Sequence, residues 1–138
     1  MTYLKWEEEL NTGIEQIDLQ HRQIVDYINQ LYDVHHNKIG GQLEVKETIL
    51  NLIDYTLLHF SLEESLFEKS GYGNTEEHCK NHIKFSKIIL DYKHKLSKGE
   101  DITESLLNLL YDWLFVHILH EDADYVPTIK NYLATRSS

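Results

Sequence analysis

The chain has 138 residues, 41% of them hydrophobic and 26% charged, a composition typical of one globular domain spanning 1–138. Its formal net charge of −10 argues against nucleic acid or an anionic membrane surface as a partner, since both attract basic surfaces. Because no apolar run approaches the ~20 residues that cross a bilayer, and MTYLKWEEEL lacks the apolar segment of a signal peptide, we expect a cytoplasmic protein.

Four helical stretches are predicted along the chain, separated by short polar or glycine-containing breaks. The first three are expected at about 15–37, 42–69 and 75–97. The fourth opens at Asp101 or Thr103 and continues to about 120, and Pro127 marks a break or the first turn of a short terminal helix. The sequence thus predicts an all-α fold, an antiparallel up-down-up-down four-helix bundle with an N-terminal arm and a short C-terminal segment.

Each predicted helix carries an apolar stripe at helical spacing, and each stripe includes at least one strong metal ligand. These ligands are His21, then His59 and Glu63, then His78 and His82, and finally His117. A single histidine on such a stripe is usually an ordinary core residue, and a pair such as His78 and His82 often occurs by chance. Glu63 differs, because a buried carboxylate needs a partner and no lysine or arginine joins these stripes. A metal site is therefore the favoured interpretation.

The order of these residues, with Asp122 following His117, resembles the hemerythrin family. The segments that carry the resemblance are Gly13-Ile14-x-x-Ile17-Asp18-x-x-His21, His59-Phe60-x-x-Glu63-Glu64, Gly71-Tyr72 and Trp113-Leu114-x-x-His117-Ile118-x-x-x-Asp122-x-x-Tyr125. The resemblance covers about residues 6 to 130, nearly the whole chain, and fills all seven ligand positions that the family uses.

The resemblance implies two iron ions, Fe²⁺ or Fe³⁺, joined by a bridging oxide or hydroxide. By position, one iron would be held by His78, His82 and His117, the other by His21 and His59, and both would be bridged by Glu63 and Asp122. The family also lines a dioxygen pocket with bulky apolar residues, which correspond here to Ile24, Phe60, Trp113 and Leu119. Plain core packing would explain those four residues equally well, and the two interpretations are compatible.

On two octahedral irons, this ligand set would leave one coordination position vacant. That position would be on the iron held by His21 and His59, and it would suit an end-on diatomic ligand. Taking up dioxygen there as hydroperoxide keeps the net charge of the site constant, so binding should be reversible in a dry pocket. We therefore expect a dioxygen-binding protein for transport, storage or sensing, and not an enzyme, since no pocket residue is an obvious general acid. The alternatives are a di-iron peroxidase or oxygen-scavenging oxidase served by an unidentified redox partner, and iron storage.

The last ligand is the position where helical geometry and the resemblance disagree. On a continuous helix, His120 or Glu121 would share the face of His117, whereas Asp122 would lie about 140° away. Following the resemblance, we predict that Asp122 bridges, that His120 and Glu121 face away, and that the helix ends or forms a π-type bulge between His117 and Asp122. Other polar residues are assigned to solvent or to outward faces: His35, His36, His94, Cys79 and Glu64.

Overall fold

The computed structural model describes residues 4–36, 42–117 and 122–137. These include a turn of 3-10 helix, Glu8–Leu10, and the helices α1 Glu15–His36, α2 Gln42–Ser70, α3 Thr75–Ser97, α4 Thr103–Val116 and α5 Asp122–Ser137. Helix α1 packs against α2 and α4, and α2 packs against α3 and α5. The predicted all-α bundle is confirmed, and none of the helices described is both long and apolar enough to cross a membrane.

The first three helices begin and end within a residue of their predicted bounds. Gly71 shows why α2 ends where it does. It has a φ of 70°, in the left-handed region that favours glycine, and the amide of Tyr72 donates to the carbonyl of Phe67 at 3.1 Å. This arrangement is a Schellman motif, which closes a helix by satisfying its last carbonyls.

The terminal helix is longer than the sequence suggested. Helix α5 has 16 residues and continues through Pro127, where we expected a break or a first turn. Proline lacks the amide hydrogen that an interior helical position donates, so this position weakens the helix. Tyr125 and Ile129, which flank it, are both fully buried, and their packing against the core holds the helix together.

The carboxylate of Asp18 organises the start of α1. Its Oδ1 atom accepts a hydrogen bond from the amide of Thr12 at 2.8 Å, and its Oδ2 atom accepts one from the amide of Gly13 at 3.0 Å. Gly13 has a φ of 84°, which a residue with a side chain rarely adopts. The Gly13 to Asp18 segment therefore fixes the first turn of α1, and with it the direction of His21 one turn later.

The interior consists of two apolar clusters with a polar layer between them. The smaller cluster is formed by Ile14, Ile17, Leu66, Phe67, Tyr72, Tyr125 and Ile129. The larger one includes Ile24, Ile28, Ile53, Phe60, Phe85, Ile89 and Leu106. Along their own helices, His21 and Glu63 each lie about one turn from both clusters. The polar layer is thus closed off by hydrocarbon at both ends.

Candidate metal centre

Seven polar side chains meet in the layer between the two apolar clusters. They are His21 from α1, His59 and Glu63 from α2, His78 and His82 from α3, His117 just after α4, and Asp122 at the start of α5. None of the seven is more than 4% exposed. They are the seven positions selected from the sequence, and the fold brings all of them together.

The carboxylate of Glu63 is surrounded by imidazole nitrogens. Its Oε1 atom lies 3.1 Å from Nε2 of His59, 3.1 Å from Nε2 of His117 and 3.3 Å from Nε2 of His82. A carboxylate oxygen has only two lone pairs, so three such neighbours exceed what hydrogen bonding accommodates. Two ligands of one first-row metal ion are separated by roughly 3 Å, given bonds of about 2.0–2.2 Å. The spacing therefore suits donors that share a cation.

Asp122 directs its two oxygen atoms to different histidines. Its Oδ2 atom is 3.0 Å from Nε2 of His21, whereas its Oδ1 atom is 3.1 Å from Nε2 of His117 and 3.7 Å from Nε2 of His78. Nε2 of His21 also lies 3.0 Å from Nε2 of His59. A carboxylate with one oxygen toward each set of imidazoles has the arrangement that a bridge between two cations requires.

The donor atoms form two overlapping groups in which every ligand atom lies within 4.8 Å of the others. The first group is His21, His59, Glu63, His117 and Asp122, and the second is Glu63, His78, His82 and His117. Glu63 and His117 belong to both groups. The geometry thus offers two adjacent cation positions that share ligands.

Several of these buried atoms have no hydrogen-bond partner in good geometry among the residues that the structure describes. They include Oε2 of Glu63, Nε2 of His82 and both carboxylate oxygens of Asp122. Leaving a buried polar atom unsatisfied costs about 1–3 kcal/mol. A cation between these atoms would satisfy them together, so the residues present fit a metal centre.

Burial disfavours the charged form of two of the imidazoles. It lowers the pKa of His21 well below its usual value, and the neighbouring imidazoles of His59 and His117 lower it further. Burial also lowers the pKa of His59, although the neighbouring Glu63 opposes the shift. A neutral imidazole is the form that binds a metal ion, so these side chains need not lose a proton first.

The two carboxylates respond to burial in opposite ways. Burial disfavours ionisation of Glu63, but the facing imidazoles of His59 and His117 outweigh it and lower the pKa of Glu63 well below its usual value. Burial and the charge of Glu63 raise the pKa of Asp122 well above its usual value. Burial, followed by the same charge, also raises the pKa of Tyr125, which keeps its hydroxyl protonated. The layer therefore favours the ionised form of Glu63 and the protonated form of Asp122.

Gln20, a polar residue outside the layer, orients one of the imidazoles. Oε1 of Gln20 lies 2.9 Å from Nδ1 of His59, and because an amide oxygen only accepts, Nδ1 donates and Nε2 is left facing the layer. Oε1 of Glu64 lies 3.8 Å from Nδ1 of His82, which is beyond hydrogen-bond distance. Gln20 was not predicted from the sequence. A histidine that binds a metal usually donates its second ring N–H to an acceptor, and this requirement could have pointed to Gln20.

Aromatic rings cover one side of the layer. Phe60 stacks on His82 with ring centroids 4.1 Å apart, and Trp113 stacks on His117 with centroids 4.5 Å apart. Ile24, another residue of the predicted oxygen pocket, is fully buried in the larger apolar cluster. Leu119, the fourth, lies outside the described residues. The three described members therefore border the layer or its apolar wall.

His117 and Asp122, the described residues on either side of 118–121, do not have the relative orientation of residues on one regular α-helix. Helix α4 ends at Val116, His117 has a π-helical conformation, and α5 begins at Asp122. The carboxylate of Asp122 nevertheless lies against Nε2 of His117, which a continuous α-helix would place about 140° away from it. A π-type irregularity was predicted at this point. His120 and Glu121 lie outside the described residues.

A hydrogen-bonded contact anchors the start of α5. The hydroxyl of Tyr72 donates to Oδ2 of Asp124, and Nδ2 of Asn74 donates to the same oxygen at 2.8 Å. These bonds join the turn after α2 to the first turn of α5, two residues beyond Asp122. The motif around Gly71 and Tyr72 thus helps to position a carboxylate of the layer.

Comparisons with known proteins agree with this architecture. Residues 12–129 match the family model described as "Hemerythrin HHE cation binding domain". The chain is 40% identical over 134 residues to a bacteriohemerythrin of Pseudomonas aeruginosa, covering 97% of this chain and 86% of that protein. It is 31% identical over 132 residues to a bacteriohemerythrin of Methylococcus capsulatus, covering 94% and 99% of the two chains. A crystal structure of wild-type hemerythrin superposes with a TM-score of 0.85 at 29% identity, covering 92% of this chain and 98% of that one. The chain therefore belongs to the hemerythrin HHE cation binding domain family.

Proposed function

We propose that the polar layer holds two iron ions and that the protein binds dioxygen reversibly there, for transport, storage or sensing. The observation that carries the proposal is the pair of overlapping ligand groups, which share Glu63 and His117 in a fully buried layer. A single cation would leave part of this donor set unsatisfied. Family membership supports iron as the metal, since the relatives at 40% and 31% identity are bacteriohemerythrins.

Within this proposal the histidines divide between the two ions. His21 and His59 would hold one ion, and His78, His82 and His117 the other. Asp122 would bridge them, because its Oδ2 atom lies near His21 and its Oδ1 atom near His117. Glu63 would be the second bridge, since its Oε1 atom lies within 3.3 Å of Nε2 atoms belonging to both sets.

When bound, the iron pair supplies the electrons that reversible dioxygen binding requires, and the protein controls the surroundings. Gln20 fixes the ring of His59 through Nδ1, so that its free nitrogen faces the layer. Phe60 and Trp113 stack on His82 and His117 and exclude water from that side. These rings offer no proton to a bound ligand, which favours binding and release over reductive turnover.

Metal analysis combined with optical spectroscopy tests the proposal. Protein loaded with Fe²⁺ under anaerobic conditions should contain two irons per chain and should develop a visible charge-transfer band when dioxygen is admitted. The matched pair of variants is Glu63→Gln and Glu64→Gln, two adjacent glutamates of which only Glu63 contributes an atom to the donor groups. Glu63→Gln should lose iron and Glu64→Gln should keep both ions. One metal per chain, or zinc alone after loading with iron, would contradict the proposal.

Reversibility separates a binding protein from a peroxidase or an oxygen-scavenging oxidase, which would use the same ligands. A binding protein should return dioxygen under vacuum and regain the spectrum of its reduced form through repeated cycles. An oxidase should end in the oxidised form after one cycle and should regain activity only with an electron donor. Rapid, complete oxidation without release of dioxygen would therefore replace the binding proposal with the enzymatic one.

A further inference from the structure

A second cluster of metal-binding side chains lies on the surface, where the last turn of α1 meets the first turn of α4. It consists of His35, His36 and Glu104, which we call the surface triad. Both histidines were predicted to face solvent, but the structure pairs them with a carboxylate. Nε2 of His35 and Nε2 of His36 each lie 3.2 Å from the same atom, Oε2 of Glu104.

The spacing of the surface triad matches that of ligands around one metal ion. Two ligands bonded at about 2.0–2.2 Å to a tetrahedral ion are separated by roughly 3.3–3.6 Å. The two nitrogen–oxygen separations of 3.2 Å are close to the lower end of this range, and all three donor atoms lie within 4.8 Å of one another. An ion placed between them would bind the three donors without a large change in the backbone.

The orientation of the two imidazoles also favours a shared ion. The rings of His35 and His36 are perpendicular, with centroids 5.0 Å apart, so their Nε2 atoms converge on Glu104 from different directions. Tyr32, one turn earlier on α1, stacks on His36 with centroids 4.2 Å apart and restrains that ring. The side chain of Glu104 is 62% exposed, which leaves room for water at the remaining coordination positions.

The charge of the surroundings suits a cation. The carbonyl groups at the C-terminal end of α1 carry partial negative charge, and the chain as a whole has a formal net charge of −10. The surface triad is also separate from the buried layer, because His35 lies 14 residues beyond His21 on α1, or about 21 Å at the rise of an α-helix. The two sites therefore share no ligand.

We infer that the surface triad is a binding site for a first-row divalent cation of the zinc, nickel or copper type. Two imidazoles and one carboxylate select such ions, whereas calcium and magnesium prefer sites built from oxygen ligands. The site is half-exposed and has three protein ligands, so the ion would keep water in its remaining positions. It joins the C-terminal end of α1 to the N-terminal end of α4 and does not depend on what the buried layer holds.

Zinc binding to the metal-loaded protein tests this inference. Protein without a polyhistidine tag, loaded with iron, is titrated with Zn²⁺ in competition with a chromophoric chelator, and its iron content is measured before and after. We expect one zinc ion per chain, bound with the iron retained and not displaced by a large excess of Ca²⁺. X-ray absorption of the bound zinc should show two imidazole ligands.

Two variants and a control locate the zinc. His36→Ala and Glu104→Gln should each weaken zinc binding at least tenfold while helical content and iron content stay unchanged. His94→Ala is the matched control, since His94 is also an exposed histidine in the last turn of its helix, α3, and it should bind zinc like the wild type. Equal zinc affinity in all four proteins, or zinc uptake only at the expense of iron, would overturn the inference. Failure of iron loading alone would bear on the buried layer and not on the surface triad.

Discussion

Replacing Asp122 with asparagine should stabilise the metal-free protein and should weaken the binding of iron. In the metal-free protein Asp122 is fully buried, and burial together with the neighbouring Glu63 raises its pKa well above its usual value. The folded chain therefore retains a proton that the unfolded chain releases above about pH 3.9. Asparagine has nearly the same volume and carries no charge at any pH, so it removes this difference.

The sign and size of the effect follow from proton linkage. A raised carboxyl pKa gives a contribution to stability that is complete below the unfolded pKa and is lost as the pH rises toward the folded pKa. Over that window the wild type loses about 1.4 kcal/mol of unfolding free energy per pH unit from Asp122, and the variant loses nothing from this position. The metal-free variant should therefore gain about that amount over the wild type with each pH unit above about pH 5.

Urea denaturation of the chelator-treated proteins at several pH values measures this gain in unfolding free energy. Iron analysis of the loaded proteins measures the loss of metal binding. Asp122→Asn should hold fewer than two irons per chain, because an amide neutralises no cationic charge. The control is Asp124→Asn, which should keep its iron. The hydrogen bond from Tyr72, followed by that from Asn74, lowers the pKa of Asp124, so its pH dependence has the other sign. The reasoning would be refuted if the unfolding free energies of the metal-free wild type and Asp122→Asn changed equally with pH. It would also be refuted if the metal-free variant were the less stable of the two.

Three further substitutions test the layer and its supports. Glu63→Ala should reduce iron well below two per chain by metal analysis, and full occupancy would show that another group replaces this carboxylate. Gln20→Leu removes the acceptor at Nδ1 of His59 and should weaken iron binding by roughly 10–100-fold in chelator competition, whereas Gln20→Glu should retain it. Tyr72→Phe removes the hydrogen bond to Asp124 and should lower the unfolding free energy by about 1–2 kcal/mol in urea denaturation. An unchanged denaturation midpoint would mean that this contact adds nothing to stability.

The sequence predicted the helices and the polar layer because both depend on local spacing. Apolar residues recur at helical intervals and glycines such as Gly71 end the helices, so the bounds of α1 to α3 could be read to within a residue. His59 and Glu63 are four residues apart on α2, and their shared face follows from that spacing alone. The fold and six residues of the layer could therefore be predicted from spacing, whereas Asp122 was predicted only from the resemblance to the hemerythrin family, since helical spacing favoured His120 or Glu121.

Contacts between helices could not be predicted from local spacing. Gln20 precedes His21 and points to a different side of α1, so only the packing of α1 on α2 brings it to His59. The pairing of His36 with Glu104 likewise depends on how far α1 and α4 are offset along their axes. The length of α5 was misjudged because proline was weighted by its local effect, while the buried side chains that flank it were not counted.

The segment from His117 to Asp122 shows how the chain reconciles helical geometry with a compact donor set. A regular helix cannot turn both His117 and Asp122 toward one point, and the described residues depart from that geometry: His117 is π-helical, and Oδ1 of Asp122 lies 3.1 Å from its Nε2 atom. Asp122 also lies in the first turn of α5, where the helix dipole favours negative charge. That contribution opposes the burial that raises the pKa of Asp122, so this position brings the carboxylate closer to the ionised form that a bridging ligand requires.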